Sequence, residues 1–260
     1  MTLADDEFKH KRRMLKRLYR LNCHMSSVHA IMGLDITRCF EYTAAWGKLW
    51  SATRSTLLDV GSYRSPFPLF LAQEGYHVVS IDINPVIAKQ RQWGRRTGVI
   101  FPSGQGFLET SIVDAMHIAF APATFDYVTC ISTIEHLSDE GDVITMTEIA
   151  RVLRPGGQVF LTVPYALTYR EGCWGRWFQR DYDLKALDSR LVKPSGLIEL
   201  ERGYLLGRPA RRFADPLYRL PRLVRHFIGW GQILPALYLL ARDRANAQDA
   251  RVVWLLLQRD

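Results

Sequence analysis

The chain is 260 residues long, 48% hydrophobic and 23% charged, which describes an ordinary globular protein and excludes a disordered or fibrous one. At about 150 residues per domain this predicts one to two domains, enough chain to bury a large core without disulfides or structural metals. The net charge of +8 sits at the two ends: residues 1–20 carry +4 and residues 201–260 carry +6, leaving the middle at −2. A nucleic-acid enzyme more often spreads positive charge around its cleft. Solvated helix faces, or contact with anionic or membrane partners, are the two explanations of the basic ends.

In chain order, residues 7–25 fit one helix, with Phe8, Met14, Leu15, Leu18, Tyr19 and Met25 near helical spacing and basic residues between them. A second helical stretch runs from Tyr42 to Leu49. An alternation of strand and helix follows. Ser55–Val60 is a short apolar run stopped by Gly61, as a buried parallel strand requires. Pro66–Glu74 reads as a helix with proline in its first turn, His77–Asp82 as a strand, and Pro85–Trp93 as a helix. Gly106–Ile112 is a weaker strand, Phe125–Ser132 a strong one, residues 140–153 a helix, and Gln158–Val163 the fifth strand. Asp183 caps a short helix reaching Val192, and Leu197–Leu205 and Arg251–Leu257 pair as an antiparallel edge.

Strands separated by helices imply βαβ units. The expected fold is therefore α/β: a Rossmann-like, doubly wound, mostly parallel seven-stranded sheet with an antiparallel edge strand and an N-terminal helical extension. The expected division is an extension over residues 1–54 and a main domain over 55–260, with insertions at 165–182 and 206–249. The cysteines (Cys23, Cys39, Cys130 and Cys173) form no CxxC pair, which suits a reducing compartment. No secretory leader is expected from MTLADDEFKHKRR, and the apolar stretch Phe227–Ala241 is shorter than the roughly 20 residues that span a bilayer. A cytoplasmic protein is expected.

Ligands of open parallel sheets bind at the carboxyl ends of the strands, beside the point where strand order reverses. There the first strand ends Leu58-Asp-Val-Gly-Ser-Tyr-Arg-Ser-Pro66, a carboxylate and a glycine turn before a helix N-terminus. Asp82 closes the second strand, where an acid can accept both hydroxyl hydrogens of a ribose. Asp114 follows the third, where it could meet an adenine amino group.

With Leu57-Leu-Asp-Val-Gly61, Val79-Ser-Ile-Asp82, Asp114-Ala-Met116, Phe125–Ser132, Ile134-Glu-His136 and Leu153-Arg-Pro-Gly-Gly157, the chain resembles the class I S-adenosylmethionine-dependent methyltransferases, in their small-molecule branch, over about residues 55–165. Phe178–Tyr182 and Lys193-Pro-Ser-Gly196 resemble the same family's approach to its sixth strand. The resemblance implies S-adenosyl-L-methionine as cofactor and roles for particular residues. Asp59 and Gly61 would flank its methionine end, with Ser62 and Tyr63 in the same turn and Ser132 lining the methionine portion. Asp82 would bind the ribose, with Ile83 beside it. Asp114, Ala115 and Met116 would hold the adenine, the acid at its amino group and the thioether on its ring face. The family's D-x-G-x-G-x-G turn departs here to Tyr63 and Ser65, where glycine ordinarily supplies positive φ or close approach.

Methyl transfer from a sulfonium proceeds largely by alignment, and a base is needed only where the acceptor loses a proton. His136 is the candidate base; the alternative is that Glu135 and His136 merely begin the next helix. The same pair resembles part of the E-x-x-E-H metal site of ubiquinone-type O-methyltransferases, but Ser132 stands at the first position and no metal is expected.

A small organic acceptor is expected, with a lipophilic or membrane-associated one suited to the 206–249 insertion and Trp230. Tyr165, Tyr169, Trp174, Trp177, Phe178 and Tyr182, interleaved with Arg170, Arg176 and Arg180, form either an aromatic wall over it or ordinary core. A DNA substrate is not expected, since Ile131-Ser-Thr-Ile134 replaces the N/D-P-P-Y motif and no Pro-Cys nucleophile is present; the basic ends are the sole support for RNA. A nicotinamide-type G-x-G-x-x-G turn fails at Tyr63 and Pro66. The remaining alternative is a methyltransferase-like subunit without catalysis, because fold by itself does not establish function.

Overall fold

The computed structural model describes residues 3–26, 34–49, 55–98, 106–174, 177–220 and 245–260. Two N-terminal helices, α1 (Leu3–Met25) and α2 (Ile36–Leu49), precede the alternation β1 (Thr56–Val60), α3 (Phe67–Gln73), β2 (His77–Asp82), α4 (Lys89–Arg96), β3 (Phe107–Ile112), β4 (Phe125–Ile131), α5 (Gly141–Val152) and β5 (Leu153–Pro164). A hairpin of β6 (Arg170–Trp174) and β7 (Trp177–Asp181) follows, then a helical connection from Leu184 to Ser195, β8 (Ile198–Leu205), α6 (Arg208–Arg219) and β9 (Val252–Gln258).

The seven-stranded sheet has the order β3-β2-β1-β4-β5-β9-β8. The first five strands are parallel; β9 runs antiparallel to both β5 and β8. The antiparallel strand thus lies one place in from the edge. Period-two alternation divides these strands between two cores. Leu57, Val78, Phe160 and Leu256 face the helices α1 to α4, whereas Leu58, Ile81, Leu161 and Leu257 face α5 and the Leu184–Ser195 connection. Burying each such side chain contributes about 1.5–3 kcal/mol. Being covered on both faces explains why these strands read as continuous apolar runs.

Two of the helical starts are set by side-chain caps. α2 starts at Ile36, six residues before the expected Tyr42, because the Asp35 carboxylate accepts the Thr37 amide at 2.8 Å. Asn84 likewise accepts from the Val86 amide at 3.0 Å, opening a 3₁₀ turn at Pro85–Ala88 before α4, which runs on to Arg96. β5 begins at Leu153, five residues earlier than expected, with Gly156 at φ +76° in its bulged start. α1 lays Met14, Leu15, Leu18, Leu21 and Met25 into the core shared with α2 and α3. Residues 221–244, including Trp230, and the Gly175–Arg176 tip of the hairpin lie outside the described residues.

Candidate active site

The carboxyl ends of β1, β2, β3 and β4 form one row, because β2 and β4 flank β1 and β3 flanks β2. The turn after β1 is built from its own polar groups. Asp59 is 4% exposed, and its carboxylate accepts hydrogen bonds from the Ser62 hydroxyl and, at 2.5 Å, from the Thr129 hydroxyl, tying β1 to β4. Burial pushes this carboxyl up to about 6 despite those two donors. Asp59 therefore supports the turn from beneath. Gly61 sits at φ +76°, and a Cβ there would collide with the Thr133 side chain. The close approach that demands glycine at this position is made by Thr133.

Tyr63 adopts φ +40°, the left-handed region that glycine reaches without strain. Its amide donates to Asp82 Oδ2 at 2.8 Å, and its ring is 47% exposed with the Arg64 guanidinium carbon 5.4 Å from the centroid. Ser65 accepts the Phe67 amide at 3.0 Å, at the start of α3, and its Oγ lies 2.8 Å from the Tyr42 hydroxyl. The two departures from the glycine pattern are thus accommodated by an outward ring and by a capping hydroxyl.

Asp82 Oδ1 accepts the Asn84 amide at 2.7 Å, so two of the roughly four lone-pair sites of this half-buried carboxylate are used and the others are open. Ile83, next to it, is 68% exposed. Asp114 Oδ1 accepts the Met116 amide at 2.9 Å, while Oδ2 lies 3.7 Å from His117 Nδ1; Ala115 and Met116 are half-buried beside it. β2 and β3 are paired up to Asp82 and Ile112, which brings these acids to adjacent strand ends.

Ser132, at φ +44°, leaves β4 with its amide donated to Thr162 of β5 and its hydroxyl to Glu41 of α2. Glu41 is fully buried; it also accepts from Thr162 at 2.9 Å and from Arg38 at 2.7 Å. Arg38 in turn donates to the carbonyls of Ile131 and Ser132 at 3.3 and 3.5 Å. Arg38, Glu41 and Tyr42 are site-shaping residues that the sequence reading missed. The available signal was an Arg/Glu pair at i, i+3 among the apolar residues of one helix.

Glu135 and His136 occupy a 3₁₀ turn, Ile134–His136, and so precede α5 rather than begin it. His136 Nδ1 donates to the Phe178 carbonyl at 2.9 Å, which leaves Nε2 as the acceptor nitrogen in the neutral ring, 3.8 Å from Glu135 Oε1. Glu135 is 2% exposed and its Oε2 has no hydrogen-bond partner; burial pushes its carboxyl up to about 8, outweighing the field of Arg38.

Ser132, Glu135 and His136 open on a cavity of about 720 Å³. Arg38 of α2, Tyr165 after β5, Arg170 and Gln179 of the hairpin, Arg211 of α6 and Arg251 close it. Among the described residues, the expected aromatic wall contributes Tyr165 to this lining. Along β7, Gln179 and Asp181 face the cavity, and the alternate residues Arg180 and Tyr182 are buried in the core. Trp177, at 73% exposure, faces solvent. Among the described residues no group of three His, Cys, Asp or Glu is placed to hold a metal ion, and no helix is long and apolar enough to cross a membrane.

The sheet order and the row of acids along its strand ends define a class I methyltransferase fold. Residues 58–161 match the family described as methyltransferase domain. The ubiquinone biosynthesis O-methyltransferase of Pseudomonas paraeruginosa (strain DSM 24068 / PA7) is 34% identical over 108 residues, 41% of this chain and 43% of that protein. The protein of the same description from Xylella fastidiosa (strain M23) is 29% identical over 113 residues, 43% of each. The match thus spans less than half the length of these relatives. Among solved structures, the (4+2)-cyclase SpnF aligns over 86% of this chain and 81% of its own, with TM-score 0.59 and 22% identity. The 1,6-didemethyltoxoflavin-N1-methyltransferase of Burkholderia thailandensis aligns over 84% of this chain and 76% of its own, with TM-score 0.54 and 13% identity.

Proposed function

We propose that this chain is an S-adenosylmethionine-dependent methyltransferase acting on a small organic acceptor. The observation that carries the reading is continuity. Open carboxylate oxygens at Asp82 and Asp114 lie along one row of strand ends, and Ser132 of that row also lines the 720 Å³ cavity that holds His136. The family match over residues 58–161 and the relatives named above support it.

The residues fit the cofactor. Asp82 retains acceptor capacity for two ribose hydroxyls, and Asp114 Oδ2 can take an adenine amino group. Exposed Ile83 and half-buried Met116 offer apolar contact to a ring, and the turn from Gly61 to Tyr63 borders the methionine end. When bound, the cofactor supplies a methyl group on a sulfonium whose departure needs no acid. The chain's part is alignment, exclusion of water and, for an acceptor bearing a proton, its removal. His136 Nε2 is the acceptor nitrogen on the cavity wall, held in that tautomer by the Phe178 carbonyl. In this reading residues 1–54 are an extension that α2 makes part of the site through Arg38, Glu41 and Tyr42.

Calorimetric titration with S-adenosylmethionine and S-adenosylhomocysteine, followed by a homocysteine-release assay over acceptors, tests this. Asp82→Ala should weaken S-adenosylhomocysteine binding roughly 10- to 100-fold, since a hydrogen bond to a charged group contributes about 1.5–3 kcal/mol. An unchanged dissociation constant in a folded variant refutes the assignment. His136→Ala should leave that constant alone and slow turnover roughly 10²- to 10⁴-fold where the acceptor loses a proton. Identical rates across pH would remove His136 from the mechanism. A folded protein that binds neither ligand would favour the non-catalytic reading, for which Tyr63 in a glycine position is the supporting feature.

A further inference from the structure

The cavity beside Ser132 has an unusual wall for a small-molecule site, which is ordinarily apolar with a few polar groups. Four guanidinium groups reach it: Arg38, Arg170, Arg211 and Arg251. Three are matched to carboxylates, Arg38 to Glu41 at 2.7 Å, Arg170 to Asp181 at 3.0 Å and Arg251 to Asp215 at 2.6 Å. Arg211 differs. It enters no ion pair among the described residues, and its Nε is buried without a hydrogen-bond partner. Asp249, the acid that feels its charge, already accepts the amides of Asn246 and Arg208 at 3.0 and 3.2 Å.

A buried polar atom without a partner is rare in native proteins and requires a reason. Here two such atoms, Arg211 Nε and Glu135 Oε2, belong to residues lining one cavity. Burial holds Glu135 in its neutral form at neutral pH, so it does not oppose an anion in the same space. A planar guanidinium fork matches carboxylate and phosphate oxygens in pairs. The cavity volume, about 720 Å³, lies within the range of small-ligand sites.

We propose that the acceptor taken by this cavity is a small organic oxyanion, a carboxylate or phosphate monoester, held by Arg211, with its methyl-accepting hydroxyl or amine on the side of Glu135 and His136. The inference rests on the methyltransferase reading and specifies its acceptor. In the transfer the carbon–sulfur bond breaks as the bond from acceptor to methyl forms. The sulfonium leaves as a neutral thioether, the acceptor's proton passes to His136 Nε2, and the oxyanion on Arg211 is unchanged.

The test is calorimetric titration of the full chain, with and without S-adenosylhomocysteine, using matched acid and neutral compounds. These are 4-hydroxyphenylacetate against its amide, mandelate against mandelamide, and phenyl phosphate against phenol. At least one acid should bind tenfold or more tightly than its neutral partner, and the pair that responds distinguishes carboxylate from phosphate. Arg211→Gln should reduce that preference to within about twofold, and Arg211→Lys should restore part of it, which separates charge recognition from a packing defect. Equal or tighter binding of the neutral members overturns the proposal, as does a preference that survives Arg211→Gln, or failure of every acid in a protein that binds S-adenosylhomocysteine. Absence of S-adenosylhomocysteine binding with the acid preference intact would instead defeat the methyl-transfer reading and leave the anion site standing.

Discussion

Replacing Asp142 with alanine should lower the stability of the protein by about 3–5 kcal/mol, the cost typical of removing one partner from a buried ion pair. Asp142 is fully buried at the start of α5 and serves three groups from the following segment. It accepts the Tyr182 hydroxyl at 2.8 Å and Arg190 Nε at 2.9 Å, and stands 3.6 Å from the guanidinium of Arg180, which is 1% exposed. Arg180 also donates to the carbonyls of Leu137 and Asp139, pinning β7 to the loop that carries His136. Removing the carboxylate takes a hydrogen-bond acceptor from buried Tyr182 and from Arg190, and leaves the buried Arg180 with Glu171, 3.2 Å from its Nε, as its remaining carboxylate. Domains are stable by only about 5–15 kcal/mol, so a fall in Tm of roughly 6–20 °C is expected by calorimetry. Glu140, whose side chain is 66% exposed and which pairs with the same Arg190, provides the contrast: Glu140→Ala should cost less than about 1 kcal/mol. An Asp142→Ala protein within 1 kcal/mol of the parent would show that the hairpin is not anchored here.

The second large effect is a dependence of stability on pH. Glu135 has its carboxyl raised from the ordinary 4.5 to about 8, first by desolvation and then, in the same direction, by Glu41, against the opposing pull of Arg38. The sign follows from proton linkage. Between those two values the folded state holds a proton that the unfolded chain has released, so stability falls as pH rises through the interval. Each unit of displacement corresponds to about 1.4 kcal/mol, which makes the loss a few kcal/mol by pH 9. Glu135→Gln keeps the shape and cannot ionise. Its advantage over the parent in urea unfolding should therefore be small at pH 5 and grow steadily towards pH 9. A constant difference over that range would mean that Glu135 is ionised in the folded protein.

Much of the architecture was legible along the chain. Runs such as Leu57–Val60 and Phe125–Ile131 are apolar because both faces of a central strand are covered, and glycine or proline punctuates them, so strand and helix could be told apart locally. Asp82 and Asp114 were legible for a related reason. A carboxylate closing an apolar strand stands out against its neighbours, and in a parallel sheet every such end falls on one edge. Element starts at Ile36 and Leu153 were less so, because they depend on a single cap and on a bulge.

What the tertiary structure alone decided are the groups brought together from distant parts of the chain. Asp59, at the end of β1, is braced by Thr129 of β4. At Gly61 a side chain would meet Thr133, which follows β4. Arg38 and Glu41 reach the ends of β4 and β5 through contacts 91 to 121 residues apart in sequence. Arg211 and Arg251 arrive at the same cavity from α6 and the start of β9. Local sequence encodes strand, turn and cap through the conformational preferences of a few adjacent residues. Which charge is left without a partner depends on every chain segment that folds against it, and only the folded chain settles that.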